Sequence, residues 1–479
     1  MLKQLPRVML MAAMILASGA GVSAAEPRVT VTSTAQEQAE VAVTVYNSNV
    51  ALVRDVRRLR LPAGTLDLRF MDIAARVNPA TVHITSLAAL RQLNILEQNY
   101  EYDLLSPSKL LQKYVGKELT LIRVVTENNT TKEVPVKAVL LADNEGPVWK
   151  VGREIVTGMG ADRYVFPDLP ESLYSKPTLV WLVENKQAGE QTLEASYLTG
   201  EVNWTADYVL TLGSDEKSAD LNGWVTIVNQ SGAAFRNAQL QLVAGELNRV
   251  GPLAVPRALA AGRVAAEKAA FEQEAVSEYH LYTLERRTDI RQNESKQISL
   301  LATHGAAIEK VFEVDGQPYY YLNANPGQAA REPVKLLVKF GNSEANSLGM
   351  PLPAGTMRVY EGDSKGRLQF IGEDRIGHTP KDETVSLHIG NAFDVVAERQ
   401  QTDYQRLGAH TTELEYRISL RNHKPVPVTV MVNEPISGDW TMLSSNFKFE
   451  KTAAFAARFV VPIAADGESE LKYRVRVQR

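Results

Sequence analysis

Carboxylates and imidazoles gather once along the chain, at Glu373, Asp374, His378, Lys381, Asp382 and Glu383, with His388 on the strand that follows. Such side chains can hold a hard or borderline metal ion, or pair as general base and general acid. Asp374, His378 and Asp382 are the members on which a hydrolytic or metal-assisted reaction would be built. Their spacing matches no established ligand pattern. Gly372, Gly377 and Thr379-Pro380 mark the stretch as a surface loop between strands. Phosphate-loop, zinc-protease and serine-hydrolase elbow patterns are absent. Gly158-Met159-Gly160 begins like a dinucleotide loop, but the third glycine is missing. Tyr164-Val165-Phe166-Pro167 is then strand-like where a helix must meet the pyrophosphate. The 7 histidines are scattered. No catalytic, cofactor-binding or metal-ligating residue is therefore assigned, and no cofactor is expected.

Recognition chemistry has three candidates. Trp204 with Tyr208, and the run Tyr319 to Tyr321, are aromatics that can stack on sugar rings or anchor a protein if a sheet exposes them. Both sets alternate, so one member of each is expected to face the core. Arg54, Arg57, Arg58 and Arg60 give one strand a strongly basic outer face, suited to an acidic polysaccharide or simply to keeping an edge from pairing.

The elements that must position these residues are strands. Val41 to Tyr46 and Leu52 to Leu61 alternate, and Leu61-Pro62-Ala63-Gly64-Thr65 turns the chain back into Leu66 to Phe70. The same five letters recur at Leu352 to Thr356, so two similar hairpins are expected. Ser106, Pro107 and Gly116 punctuate one short helix. Short strands beyond it suggest a small inserted β-barrel over 106–165. Longer strands follow from Thr178, separated by hairpin-like turns at Lys186 to Gly189 and Asn229 to Gly232 and by no helices, which is antiparallel grammar. Arg257 to Ser277 is rich in alanine and charge and reads as a solvated helix or mobile excursion. Strands are expected again at Tyr279 to Leu284, through Tyr319 to Tyr321, and at Val334 to Phe340. A last set from Thr412 to Val477 has the spacing of an immunoglobulin-like sandwich with Trp440 in its core. The expected fold is mainly β: antiparallel sandwiches with an inserted barrel, a short helix and an excursion at 256–278. The expected division is a signal at 1–25, an N-terminal β region at 26–105, the barrel at 106–165, a central region at 166–397 and a C-terminal sandwich at 398–479.

Where this chain works is written at its start. Lys3 and Arg7, the apolar run Val8 to Ala17 and the small residues Val22-Ser23-Ala24-Ala25 form a cleavable export signal, with cutting after Ala24 favoured. The apolar run is too short to span a bilayer. Without Lys3 and Arg7, the balance of 52 Lys and Arg against 56 Asp and Glu moves from −4 to −6. Mild, dispersed acidity argues against nucleic acid and against polybasic attachment to lipid. With no cysteine, disulfides, thiolate metal sites, thiol nucleophiles and acylated anchors are excluded together.

Several phrases in order resemble one family. Tyr46 to Asn49 with Ala51 to Arg54, Leu96 to Tyr100 leading to Leu110 to Gly116, and Trp204 to Tyr208 carry the likeness. It continues through Gly341-Asn342, the turn at Leu352 to Gly355, and Phe370 to Asp374 with His378 to Pro380. They resemble the domain of unknown function 4139 family across nearly the whole mature chain. The resemblance implies an exported, β-rich bacterial protein and transfers no catalytic residue. A related group, mucoidy inhibitor A, carries a similar domain behind a coiled-coil segment, whereas no heptads occur here. The expectation is an envelope protein of the periplasm, or of the surface or medium. It would be a non-enzymatic module binding an envelope protein or glycan, without nucleic acid and without a membrane span in the mature chain. The alternative is an enzyme acting on an envelope substrate through the Glu373 to His388 loop.

Overall fold

The computed structural model describes residues 28–87, 92–127, 130–170, 173–245, 271–276, 279–325, 327 and 329–479. The expected export signal lies outside them. The described chain is mainly β, with one α-helix, Pro107–Lys113, among the described residues. A period of two builds the strands: Val41, Val43 and Val45 face inward from Gln38–Tyr46, and Leu66, Leu68 and Phe70 from Gly64–Met71. Each such side chain contributes about 1.5–3 kcal/mol by leaving water.

Three sheets supply most of the first core, and one end of a fourth, six-stranded sheet completes it. One holds Gly64–Met71 and Thr178–Asn185, whose Phe70 and Trp181 meet edge to face at 5.6 Å. The second centres on Gln38–Tyr46, Val50–Leu61 and Gly189–Gly200. The third runs Glu294–Ala307, Ser218–Asn229, Val202–Leu212, Gly355–Gly362, Leu368–Ile376. Most pairings are antiparallel. Strand 38–46 nevertheless runs parallel to Phe235–Ala244, and 202–212 parallel to 355–362, joining stretches far apart in sequence. A second core lies between a sheet containing Glu309–Asp315, Val428–Pro435 and Ala456–Ile463 and one containing Val395–Arg406, Thr411–Asn422 and Glu468–Gln478. Phe312, Val314 and Val334 belong to it, so its walls draw on strands upstream of 398.

Several expectations change. The Leu-Pro-Ala-Gly-Thr turns are not hairpins: strands 50–61 and 64–71 lie in different sheets, and so do Lys335–Gly341 and 355–362. The turns at 186–189 and 229–232 likewise carry the chain from one sheet to another. Even the two glycines differ. Gly64 sits at φ +101°, which favours glycine, whereas a Cβ on Gly355 would stand 2.2 Å from the Ala206 carbonyl oxygen. The 106–165 region is an open five-stranded sheet and not a closed barrel, its edges being Glu154–Thr157 and Arg163–Val165. The helix before it is capped by Ser106, whose Oγ accepts the Lys109 N–H at 3.2 Å. Pro318–Tyr321 forms a 3-10 helix where a strand was expected, since the proline starts a turn and cannot donate to a ladder. Of the alanine-rich stretch, 257–270 and Ser277 lie outside the described residues, and Phe271–Val276 is a strand paired with Tyr279–Leu284. Trp440 packs partly buried against the second core.

Candidate functional site

The 373–388 stretch spends its polar groups on holding itself. Asp374 accepts the backbone N–H of Arg375 on Oδ1 and that of His388 on Oδ2, each at 2.8 Å. Glu373 meets Arg358 Nε at 3.3 Å, and Lys381 pairs with Glu344. His378 accepts the Ala354 N–H on Nδ1 at 3.2 Å. Asp382 turns the chain at φ +65°. Beneath them the fully buried Asn342 donates to the carbonyls of Met350, Thr379 and Pro380. The side chains of His378, Asp382 and His388 face solvent. Among the described residues, no three of His, Cys, Asp or Glu converge to hold a metal ion.

The aromatic and basic candidates also move. Trp204 and Tyr208 are both buried; the indole N–H donates to the Val243 carbonyl at 3.2 Å, and the phenol to that of Pro353 at 2.8 Å. Trp224, on the neighbouring strand and paired with Asp207, is the tryptophan that faces out. Of the tyrosine run, Tyr319 is exposed and Tyr321 buried against Glu434. Strand 50–61 is central in its sheet, not an edge. Its Arg57 points inward and is wholly buried. There Nη2 donates to Asp55 and to the Met71 carbonyl, each at 2.8 Å, while Nη1 reaches Ser33 at 3.2 Å. The guanidinium lies 3.5 Å over the Phe70 ring. Only Arg54, Arg58 and Arg60 face outward, Arg54 joined to Glu194 at 2.7 Å.

Asp55 opens onto a different feature. Strands 38–46 and 235–244 pair from Ala42 with Gln239 to Tyr46 with Val243. Upstream they fork: Gln38, Glu40 and Val41 stay with strand 50–61, while Phe235 and Ala238 pair with Thr288–Ile290. A cleft of about 850 Å³ fills the fork, within the size range of small-ligand sites. Val41, Val53, Ile73 and Phe235 give it apolar walls, and Asp55 and Tyr197, 3% and 2% exposed, line its depth. The Tyr197 hydroxyl accepts the Ala74 N–H at 3.5 Å, and its own proton meets no acceptor among the described residues. Burial, followed by the Asp55 charge, pushes that phenol above its ordinary value, so it remains a donor. Asp55 receives only the Arg57 guanidinium, leaving lone pairs to spare.

The rim carries charge. Asp72 pairs with Lys176 and accepts the Ala35 N–H at 3.1 Å. Burial acts to raise its carboxyl, but the hydrogen bonds from Lys176 and Ala35 prevail and hold it below its ordinary value. Glu40 stands 3.5 Å from Arg54. Arg287 donates to the Asn237 carbonyl at 3.2 Å, and neither it nor Arg236 meets a carboxylate among the described residues.

Residues 193–445 match the model of the family described as Domain of unknown function (DUF4139). The chain belongs to the DUF4139 family. No curated protein matches it. In this DUF4139 protein the matched segment supplies Tyr197, the 232–237 wall and Arg287, while Asp55, Asp72 and the 34–41 wall come from outside it. The cleft is thus assembled from both. Sequence reasoning missed it, although one signal was present: in Val53, Asp55, Arg57, Leu59 the alternation sets an acid and a base on the apolar side of one strand.

Proposed function

We propose that this DUF4139 protein is exported to the cell envelope, most simply to the periplasm, and acts there as a non-enzymatic binding module whose ligand enters the cleft over Asp55 and Tyr197. The export signal at Met1 to Ala25 and the absence of cysteine support the address. One observation carries the binding role: two deeply buried polar groups, a hydroxyl with an unspent proton and a carboxylate with spare lone pairs, line an open cleft. Groups left so within a fold are expensive unless something completes them. The 373–388 stretch supports no competing enzymatic role, because Asp374 is engaged with backbone and His378, Asp382 and His388 do not converge.

The test is photo-crosslinking in producing cells. A benzophenone amino acid at Ala39, on the cleft rim, should capture a discrete envelope component, and the same group at exposed Ala302 should not. The crosslinker-bearing chain itself should begin at Ala25 and fractionate with the envelope. Equal labelling from both positions, or a full-length chain in the cytoplasm, would overturn the proposal.

A further inference from the structure

The cleft's charge and its main chain say what kind of ligand it takes. Of the carboxylates lining it, Asp55 has Arg57 and Asp72 has Lys176, while Glu40 shares Arg54 with Glu194. Arg236 and Arg287 have no carboxylate partner among the described residues, so the two arginines outweigh the shared Glu40 and leave the rim net positive. A ligand drawn there brings negative charge. Part of one wall is the margin of a strand. Glu40 and Val41 are paired with strand 50–61 on one side, with Ala39 bulging between Gln38 and Glu40, and on the other side 39–41 have no strand partner among the described residues, because pairing with strand 235–244 begins only at Ala42. An unpaired strand margin beside a slot recruits another extended chain, the main chain giving affinity and alternate side chains specificity. At the bottom, the Tyr197 proton seeks an oxygen acceptor, which a peptide carbonyl or a carboxylate supplies.

We propose that the cleft binds an acidic peptide segment in extended conformation, laid into the fork against residues 39–41, with its carboxylates at Arg236 and Arg287 and an oxygen at Tyr197. This rests on the cleft being the binding site, as proposed above. A sugar chain would use the cations and the hydroxyl but has no use for the open strand margin.

Fluorescence anisotropy on the intact mature protein tests the assignment. The probe is a short fluorescein-labelled peptide of alternating glutamate and valine, set against its lysine counterpart and against labelled oligogalacturonate, an acidic glycan. The glutamate peptide should bind, the lysine peptide should not, and affinity should fall as salt rises. Reversing the rim with R236E and R287E together should weaken the glutamate peptide by about tenfold or more. Both arginines are exposed, so the fold is not at stake. Tyr197→Phe, which removes only the hydroxyl, should also weaken it while leaving the salt dependence. Failure of the glutamate peptide to bind, or binding indifferent to the rim reversal, overturns the inference. So does preferential, rim-dependent binding of oligogalacturonate, which would leave the cleft a site but for a glycan. Loss of the Ala39 crosslink, by contrast, removes the site itself.

Discussion

Arg57 survives inside a sandwich because all three guanidinium nitrogens find acceptors and the group's plane rests on Phe70. Its removal is the costly change, since it leaves the buried Asp55 charge without its cation. Arg57→Met is expected to lose about 3–5 kcal/mol in urea unfolding. Asp55→Leu combined with Arg57→Met should lose less than Arg57→Met alone, because no charge is then left unpaired. Asp72 ties the 34–37 turn and Lys176 to the cleft rim, and its depressed pKa makes that contribution pH-dependent. A carboxyl lowered by folding stabilises above its unfolded value of 3.8, and the benefit disappears as pH falls through the lower folded value. Asp72→Asn should therefore lower stability at neutral pH and shrink the loss seen on acidification below pH 3.8. Coincident acid limbs for the two proteins would refute this. At this scale the sequence misled. Arg54, Arg57, Arg58 and Arg60 read as one basic face, because composition counts charges while only strand parity places Arg57 opposite Phe70. Of Trp204 and Tyr208 one was expected in the core, and both lie there, because residues four apart share one face of a strand and that face is covered.

Three strands end in a buried asparagine that clamps the chain as it leaves the sheet, Asn185, Asn229 and Asn422, and buried Asn342 directly follows a fourth, Lys335–Gly341. Asn185 donates to the carbonyls of Pro62 and Gln187, and Asn422 to those of Val426 and Ala464. Asn229 donates to Ala233 and Arg291 and accepts from Ser231, fixing the crossing that leads into the cleft's 232–237 wall. An amide is needed because each site presents acceptors and a donor together. Asn229→Ala should cost about 1–3 kcal/mol for each carbonyl left unsatisfied, and Asn229→Asp should not rescue it, having lost the donors. Equal stability of the aspartate variant in denaturant titration would contradict the role. Strand positions were legible because a period of two is written into side-chain order. The crossings were not: Leu-Pro-Ala-Gly-Thr and Asn-Gln-Ser-Gly specify a change of direction, and nothing local says whether the next strand joins the same sheet or the facing one. Parallel pairing was hidden for the same reason, its partners being remote in sequence.

Across the whole molecule one six-stranded sheet serves both cores: Val338, Phe340, Val385 and Leu387 pack into the first, and Val314, Val430, Val432 and Phe459 into the second. Leu336 touches both. Loss of either core should therefore unravel the other. Single-tryptophan variants retaining Trp181 in the first core or Trp440 against the second are expected to report the same urea midpoint, and separated midpoints would show that the cores fold independently. The mainly β fold was legible in the strand pattern. The cleft was not, because it exists only where two remote parallel strands part company. Its role as the binding site is tested most directly by hydrogen exchange on the mature protein, free and in detergent-free envelope extract. The expected result is slowed exchange concentrated at residues 39–41 and 233–237, lost in Tyr197→Phe. Slowed exchange elsewhere with those segments unchanged would contradict the account.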